Sequence, residues 1–274
     1  MNQEIANLKP QVVWKHFSAI LDIPRPSKKE DKIRQFVADF GKKLGLETIV
    51  DEVGNVLIRK PATPGMEDRK GVVLQGHLDM VPQKNNDKVH NFETDPIEGY
   101  IDGDWVKANG TTLGADNGIG MAAAMAVLES KDLEHGPIEV LITTDEETGM
   151  TGAFGLKSDL LQGDILINLD SEDEGELFIG CAGGMDTNIR FDATLEETPA
   201  EVLAYTLTVK GLKGGHSGCD IHLGRGNANK ILNRFLWMGS ASHGLRLSHI
   251  DGGSLRNALP REAFATIVLP TATT

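Results

Sequence analysis

Hydrophobic positions recur along this chain first at helical spacing and then at strand spacing. Val13, Phe17, Ile20 and Leu21 follow Pro10 at intervals of three and four, and proline's fixed φ suits a first helical turn. Pro24 and Pro26 end that helix. Ser27 and Glu30 stand three apart, the spacing of a capping box. Ile33, Phe36, Val37, Phe40 and Leu44 then lie on one face until Gly45 supplies a stop. Residues 55–59 predict a strand behind a turn at Gly54, and 61–70 a loop. Three short apolar runs, 71–76, 138–144 and 165–169, predict inner strands of a sheet. Between the first two, 82–96 is polar and predicts irregular chain, whereas 117–128 predicts a helix apolar nearly all round, as buried helices are. This alternation of strands and helices predicts an α/β fold with a mixed, mainly parallel sheet flanked by helices and right-handed crossovers.

After Gly184 the pattern changes. Residues 201–211, 245–252 and 263–270 predict strands, and Asn227 caps a helix carrying Ala228, Ile231, Leu232 and Phe235. The β-α-β-β order predicts a second, smaller α+β domain, giving divisions of 1–186 and 187–274. A small sheet ordinarily continues past its last strand, so the expectation is that this second domain is incomplete at Thr274.

The formal net charge of −13 argues against nucleic acid or an anionic membrane as the main partner, since both need a basic surface. No run approaches the roughly 18 apolar residues of a membrane span. Residues 1–9 are polar and lack the apolar core of a secretory signal. Two cysteines, Cys181 and Cys219, make neither a disulfide framework nor a Cys-x-x-Cys pair. A reducing, cytoplasmic setting is the expectation.

The three apolar runs end in chemically active side chains. His77 and Asp79 form a His-x-Asp at the first strand end, where alternate residues of extended chain face one way. That pair reads either as a metal ligand with a supporting carboxylate or as a hydrogen-bonded turn. Asp116, among Gly114, Gly118 and Gly120, reads equally as a helix N-cap or as a carboxylate bridging two cations. Glu146 and Glu147 leave the second strand as neighbours and read either as a solvated acidic turn or, pointing to opposite sides of extended chain, as one carboxylate for a metal and one for its water. Asp170 directly follows the third strand, and the acidic run from Ser171 to Glu174 reads as solvated surface. His216 lies in the glycine-rich run Gly214-Gly215-His216-Ser217-Gly218, either a hairpin turn or a loop presenting a donor to an oxyanion. One imidazole and several carboxylates at strand ends suggest one divalent-metal site.

Taken in order, His77-Leu78-Asp79, Gly114-Ala115-Asp116-Asn117-Gly118, Asp145-Glu146-Glu147-Thr148-Gly149, Asn168-Leu169-Asp170 and Gly214-Gly215-His216-Ser217-Gly218 resemble the dinuclear zinc aminopeptidase, carboxypeptidase and aminoacylase family. Pro24-Arg25-Pro26-Ser27, Asp51-Glu52-Val53-Gly54-Asn55, Thr111-Thr112-Leu113-Gly114 and Gly253-Ser254-Leu255-Arg256-Asn257-Ala258 are similar to its dipeptidase branch. The resemblance implies a catalytic di-metal domain and a lid domain that also dimerises. It implies hydrolysis of dipeptides with a free N-terminus, Xaa-His among them, by a cytoplasmic homodimer. His77 and Asp170 would hold one Zn2+, Glu147 would help hold the other, and Asp116 would bridge them, with a cis peptide bond following it. Mn2+ or Co2+ suits the same donors. Glu146 would be the general base, Asp79 would orient His77, His216 would stabilise the oxyanion, and Asn257 would help bind substrate. The family's last histidine ligand and a lid arginine have no counterpart within these residues. An amidohydrolase acting on N-acyl amino acids and a non-catalytic metal- or peptide-binding protein are the alternative readings.

Overall fold

The computed structural model describes residues 2–271 except 172, 174, 177, 181, 182, 184 and 186. The chain divides into two compact units, Met1–Ala182 and Gly183–Thr274.

The first unit opens with a short 3-10 turn and two helices, α1 (Gln11–Leu21) and α2 (Asp31–Lys43). The capping box expected at Ser27 and Glu30 does not form. Glu30 precedes α2 without a side-chain cap, and Ser27 turns instead to Asp79. Strands β1 (Glu47–Val50) and β2 (Val56–Lys60) make an antiparallel hairpin. Next come β3 (Val72–His77), a small hairpin of β4 (Gly99–Asp102) and β5 (Trp105–Ala108), α3 (Ala115–Glu129) and β6 (Ile138–Thr143). Two short helices, α4 (Glu146–Gly149) and α5 (Thr151–Gly155), precede β7 (Ile165–Asn168).

The main sheet runs β1-β2-β6-β3-β7. Its β6, β3 and β7 are parallel, and the β1–β2 hairpin joins β6 antiparallel. All six residues of β6 are buried, as a central strand covered on both faces requires. β7 differs from the inner strand expected of it: it lies at the sheet edge with Ile165, Leu166 and Ile167 all exposed. Periodicity reports a strand but not its place in the sheet. Helix α3 is buried along most of its length, and Met121, Ala122, Ala124, Met125 and Leu128 join Phe17, Ile20 and Ile33 in one core with Val140 and Ile142. These contacts hold α3 against the sheet and set where its N-terminus meets the strand ends.

In the second unit, β8 (Val202–Val209), α6 (Ala228–His243), β9 (Arg246–Gly252) and β10 (Ala263–Pro270) form a three-stranded antiparallel sheet, order β8-β10-β9, with one helix. Asn227 caps α6 by accepting from the Lys230 amide at 3.1 Å. Ala228, Leu232 and Leu236 of the helix pack on Ala263, Ala265 and Ile267, the alternate residues of β10 that share one face. Among the described residues, no helix is long and apolar enough to cross a membrane.

Candidate functional site

Because β3, β6 and β7 are parallel, their carboxyl ends lie together. His77 pairs in register with Thr143 and Gln75 with Asn168. The turns after these ends carry Leu78 and Asp79, Asp145 to Glu147, and Leu169 and Asp170, and ligands bind outside such ends in open α/β sheets. The imidazole of His77 is fully buried there. Its Nε2 lies 2.8 Å from Oδ1 of Asp116, 3.5 Å from Oδ1 of Asp170 and 4.0 Å from Oε2 of Glu146. Two sets of donor atoms, His77 with Glu146 and Asp170, and His77 with Asp116 and Glu147, each fall within 4.8 Å of one another. The structure thus gathers His77, Asp79, Asp116, Glu146, Glu147 and Asp170 at one place.

Two details of this cluster differ from the extended-chain reading. Glu146 and Glu147 open helix α4, so their side chains diverge around a helical turn rather than to opposite faces of a strand. Asp145, in the left-handed region at φ 51°, makes the sharp exit from β6 and receives the hydroxyls of Thr148 and Thr151. Asp79 meets this turn from the neighbouring strand. Its Oδ1 accepts the Glu146 amide at 2.9 Å, and its Oδ2 accepts the Glu147 amide at 3.2 Å and the Ser27 hydroxyl at 2.8 Å. Asp79 therefore caps α4 from outside the helix, satisfying amides that no residue before α4 reaches. Its Oδ1 also stands 3.3 Å from Nδ1 of His77, while its own carbonyl oxygen stands at 3.1 Å from the same nitrogen.

Asn117 joins the remaining segments. It follows a cis Asp116–Asn117 peptide bond. Its Nδ2 donates to the Leu169 carbonyl at 2.9 Å and to Oδ1 of Asp170 at 2.6 Å, tying the start of α3 to the end of β7. A Cβ on Gly76 would come 2.3 Å from Oδ1 of Asn117, so the strand must be glycine where the asparagine crosses it. Sequence reasoning passed over Asn117, Ser27 and Arg25 as site residues. The only signal for them was membership of the same short motifs.

The site is crowded with negative charge. Burial disfavours a charged His77, but its hydrogen bonds to the carboxylates of Asp116, Asp170 and Asp79 outweigh it and push the imidazole up to about 12. Burial and the carboxylates of Asp116 and Glu146 push Glu147 up to about 8, against the opposing pull of His77. Glu146 is raised as well, first by burial. Asp79 and Asp170 are held down despite burial, chiefly by hydrogen bonds with His77 and, for Asp79, the Glu146 amide. Oε1 of Glu147 is buried without any hydrogen-bond partner. An orphaned carboxylate oxygen, a carboxyl pushed above neutrality and a ring of hard oxygen donors around one imidazole fit a divalent cation such as zinc or manganese. A second set of buried carboxylates, Glu30, Asp79 and Asp145, also approaches within 4.8 Å. Its oxygens are taken up by hydrogen bonds, including the Asp145 amide to Glu30 at 3.1 Å, so it braces the turn.

The second unit holds the other two expected residues together. The glycine-rich loop pairs with 257–259: the Ser217 amide donates to the Asn257 carbonyl at 2.8 Å, the Leu259 amide donates to the Gly215 carbonyl at 2.7 Å, and His216 bridges Ala258. Nδ1 of His216 accepts the amides of Gly218 at 3.0 Å and Cys219 at 3.2 Å. With Nδ1 an acceptor, the neutral ring carries its proton on Nε2. Cys219 is a free, exposed thiol, and Cys181 lies outside the described residues.

Comparison with known proteins places these features. The sequence pattern of a peptidase dimerisation domain matches residues 207–273. The cytosol non-specific dipeptidase of Escherichia coli (strain K12) is 58% identical over 266 residues, covering 97% of this chain and 55% of that protein. The crystal structure of aminoacylhistidine dipeptidase from Vibrio alginolyticus superposes with a TM-score of 0.64 at 55% identity, covering 98% of this chain and 55% of that one. A tripeptidase from Staphylococcus aureus shares the fold at a TM-score of 0.52 and 19% identity, covering 96% of this chain and 66% of that one. The chain spans about half the length of the curated dipeptidase it matches. The pattern described as Peptidase family M20/M25/M40 matches residues 73–221, more than half of the chain and all six clustered side chains, and the chain belongs to that family.

Proposed function

We propose that this chain belongs to a cytoplasmic, metal-dependent dipeptidase that hydrolyses dipeptides with a free N-terminus, Xaa-His among them, and works as a homodimer. The single observation that carries this reading is the convergence of Asp116 and Glu147, and of Glu146 and Asp170, on the one buried imidazole of His77. The names of the Escherichia coli and Vibrio alginolyticus relatives support the substrate and the cytosolic setting, and the match to a dimerisation domain supports the homodimer.

His77, Asp170, Asp116 and Glu147 would hold two divalent cations, zinc first among those that suit the donors. Bound there, such cations supply Lewis acidity that acidifies a water and polarises the scissile carbonyl. Glu146, beside the ligands and raised above the ordinary carboxylate range, takes the proton of the attacking water and returns it to the leaving amine. Asp79 keeps Glu146 and Glu147 in register by capping α4, so base and ligand move as one piece. His216, with Nδ1 taken by two amides, has an Nε2 proton to offer an oxyanion, and Asn257, on the segment paired with its loop, is the residue expected to help bind substrate.

Three measurements test this reading on the intact protein. Hydrolysis of a free dipeptide should stop with chelator, and Glu146→Gln should lose roughly 10²–10⁴-fold in kcat while still binding metal. Chelator-insensitive turnover or a fully active glutamine variant contradicts the proposal, and preference for the N-acetylated dipeptide would favour the amidohydrolase. Zinc binding near pH 7 should release protons. Both His77 and Glu147 are protonated there in the metal-free site, and both must be deprotonated to ligate. The heat of binding should therefore vary with the ionisation enthalpy of the buffer, and affinity should rise with pH through 8. Nitrogen-15 spectra of the imidazoles should show His216 as the Nε2–H tautomer. An Nδ1–H tautomer would remove it as the oxyanion donor in this geometry.

A further inference from the structure

Arg25 is among the largest fully buried side chains of the protein, 2% exposed, and its partners are carbonyl oxygens rather than carboxylates. Nη1 donates to the carbonyls of Leu78 at 2.9 Å and Asp79 at 2.6 Å, and Nη2 donates to that of Gly114. The first two belong to the turn that carries His77 and Asp79, and the third stands two residues before Asp116. The guanidinium also fills the space beside the glycines that flank Asp116. A Cβ on Gly114 would come 2.7 Å from Nη2, and one on Gly118 would come 2.6 Å. The main chain around Arg25 is itself tied down, since its carbonyl accepts the Met80 amide at 3.1 Å and Pro26 bridges Met80.

A buried guanidinium is costly, and a lysine would carry the same charge on a simpler stem. What arginine alone offers is a rigid planar fork that reaches several acceptors at fixed angles. Here the fork joins two segments 35 or more residues apart that must meet at His77 and Asp116, whose side chains stand 2.8 Å from each other. Its positive charge also lies behind the carboxylates of Asp79, Asp116 and Glu147, which favour the guanidinium against the burial that draws it down to about 10.

We propose that Arg25 is a positioning residue that fixes the spacing of His77 and Asp116 through the main-chain carbonyls of Leu78, Asp79 and Gly114, and so sets the protein's affinity for its cations. The proposal rests on the metal-binding reading above, and its test separates the two. Zinc affinity is measured by competition with a chromophoric chelator for the intact protein and for Arg25→Met, Arg25→Lys and Gly118→Ala. The melting curve in excess chelator is recorded for each. If the unaltered protein binds no zinc, the metal-binding reading fails. If it binds, Arg25→Met should lose roughly 10–100-fold in affinity, the range typical of residues that orient ligands. Arg25→Lys should stay well below the parent because a point charge cannot span three carbonyls. Gly118→Ala, which displaces the fork without touching a ligand, should weaken binding in the same direction. Parent-like affinity in any one of these variants that melts cooperatively overturns the proposal. Should both Arg25 variants fail to fold, Gly118→Ala decides. If Gly118→Ala too fails to melt cooperatively, Arg25 is a folding residue and the proposal is overturned.

Discussion

Packed negative charge at the ends of β3, β6 and β7 is the constraint on which the rest of this structure depends. Asp116, Glu146, Glu147 and Asp170 converge on one buried imidazole, and like charges in a poorly solvated place raise one another's proton affinity. The neighbouring carboxylates draw His77 up to about 12 against burial, and burial with Asp116 and Glu146 draws Glu147 up to about 8. A fold keeps such an arrangement only if something else gains from it, and functional sites are where perturbed carboxylates gather. Bound cations would replace those protons and let every carboxylate ionise. The buried oxygen of Glu147 that takes no hydrogen bond is the local feature that best fits a cation.

The scaffold around the cluster is built to resist this repulsion. Parallel pairing of β3 with β6 and β7 brings three turns side by side, and α3, buried along most of its length, cannot shift without disturbing the core of Met121, Met125 and Val140. Cross-links then fix each turn to another. Asp79 caps α4, Asn117 holds Asp170, and Glu30 accepts the Asp145 amide. Residues 25–30, one short stretch between two helices, supply Glu30 and two further braces, Arg25 on the Leu78, Asp79 and Gly114 carbonyls and Ser27 on Asp79. Rigid placement of ligands and base within a few tenths of an ångström is what two-cation hydrolysis requires of a protein.

Apolar periodicity made the sheet, the buried helix α3 and the α+β second unit legible, because each buries a face whose spacing shows in the sequence. The strand-end rule points to His77, the Glu146–Glu147 pair and Asp170 without any structure, and only the family resemblance chooses Glu147 as the ligand of that pair. Two kinds of information stayed hidden. One is lateral order: three apolar residues at 165–167 look alike in an inner strand and in the exposed edge that β7 turns out to be. The other is long-range hydrogen bonding. Ser27 and Glu30 have capping-box spacing, yet each has a partner more than 50 residues away, and Asp79 serves a helix that starts 67 residues later. No local pattern records such a pairing. The Glu146–Glu147 pair looks extended in sequence for the same reason, since its helical turn is held from outside by Asp79.

The second unit presents His216 and Asn257 on paired segments, with the imidazole proton directed to Nε2 by two backbone amides. Its residues belong to the same account only if the first unit holds cations. X-ray absorption at the zinc edge of the loaded protein tests that claim most directly. The account predicts nitrogen and oxygen ligands at about 2.0–2.2 Å with imidazole scattering, and a second metal at roughly 3.5–4 Å. Sulfur ligands near 2.3 Å, or a spectrum without imidazole, would contradict it.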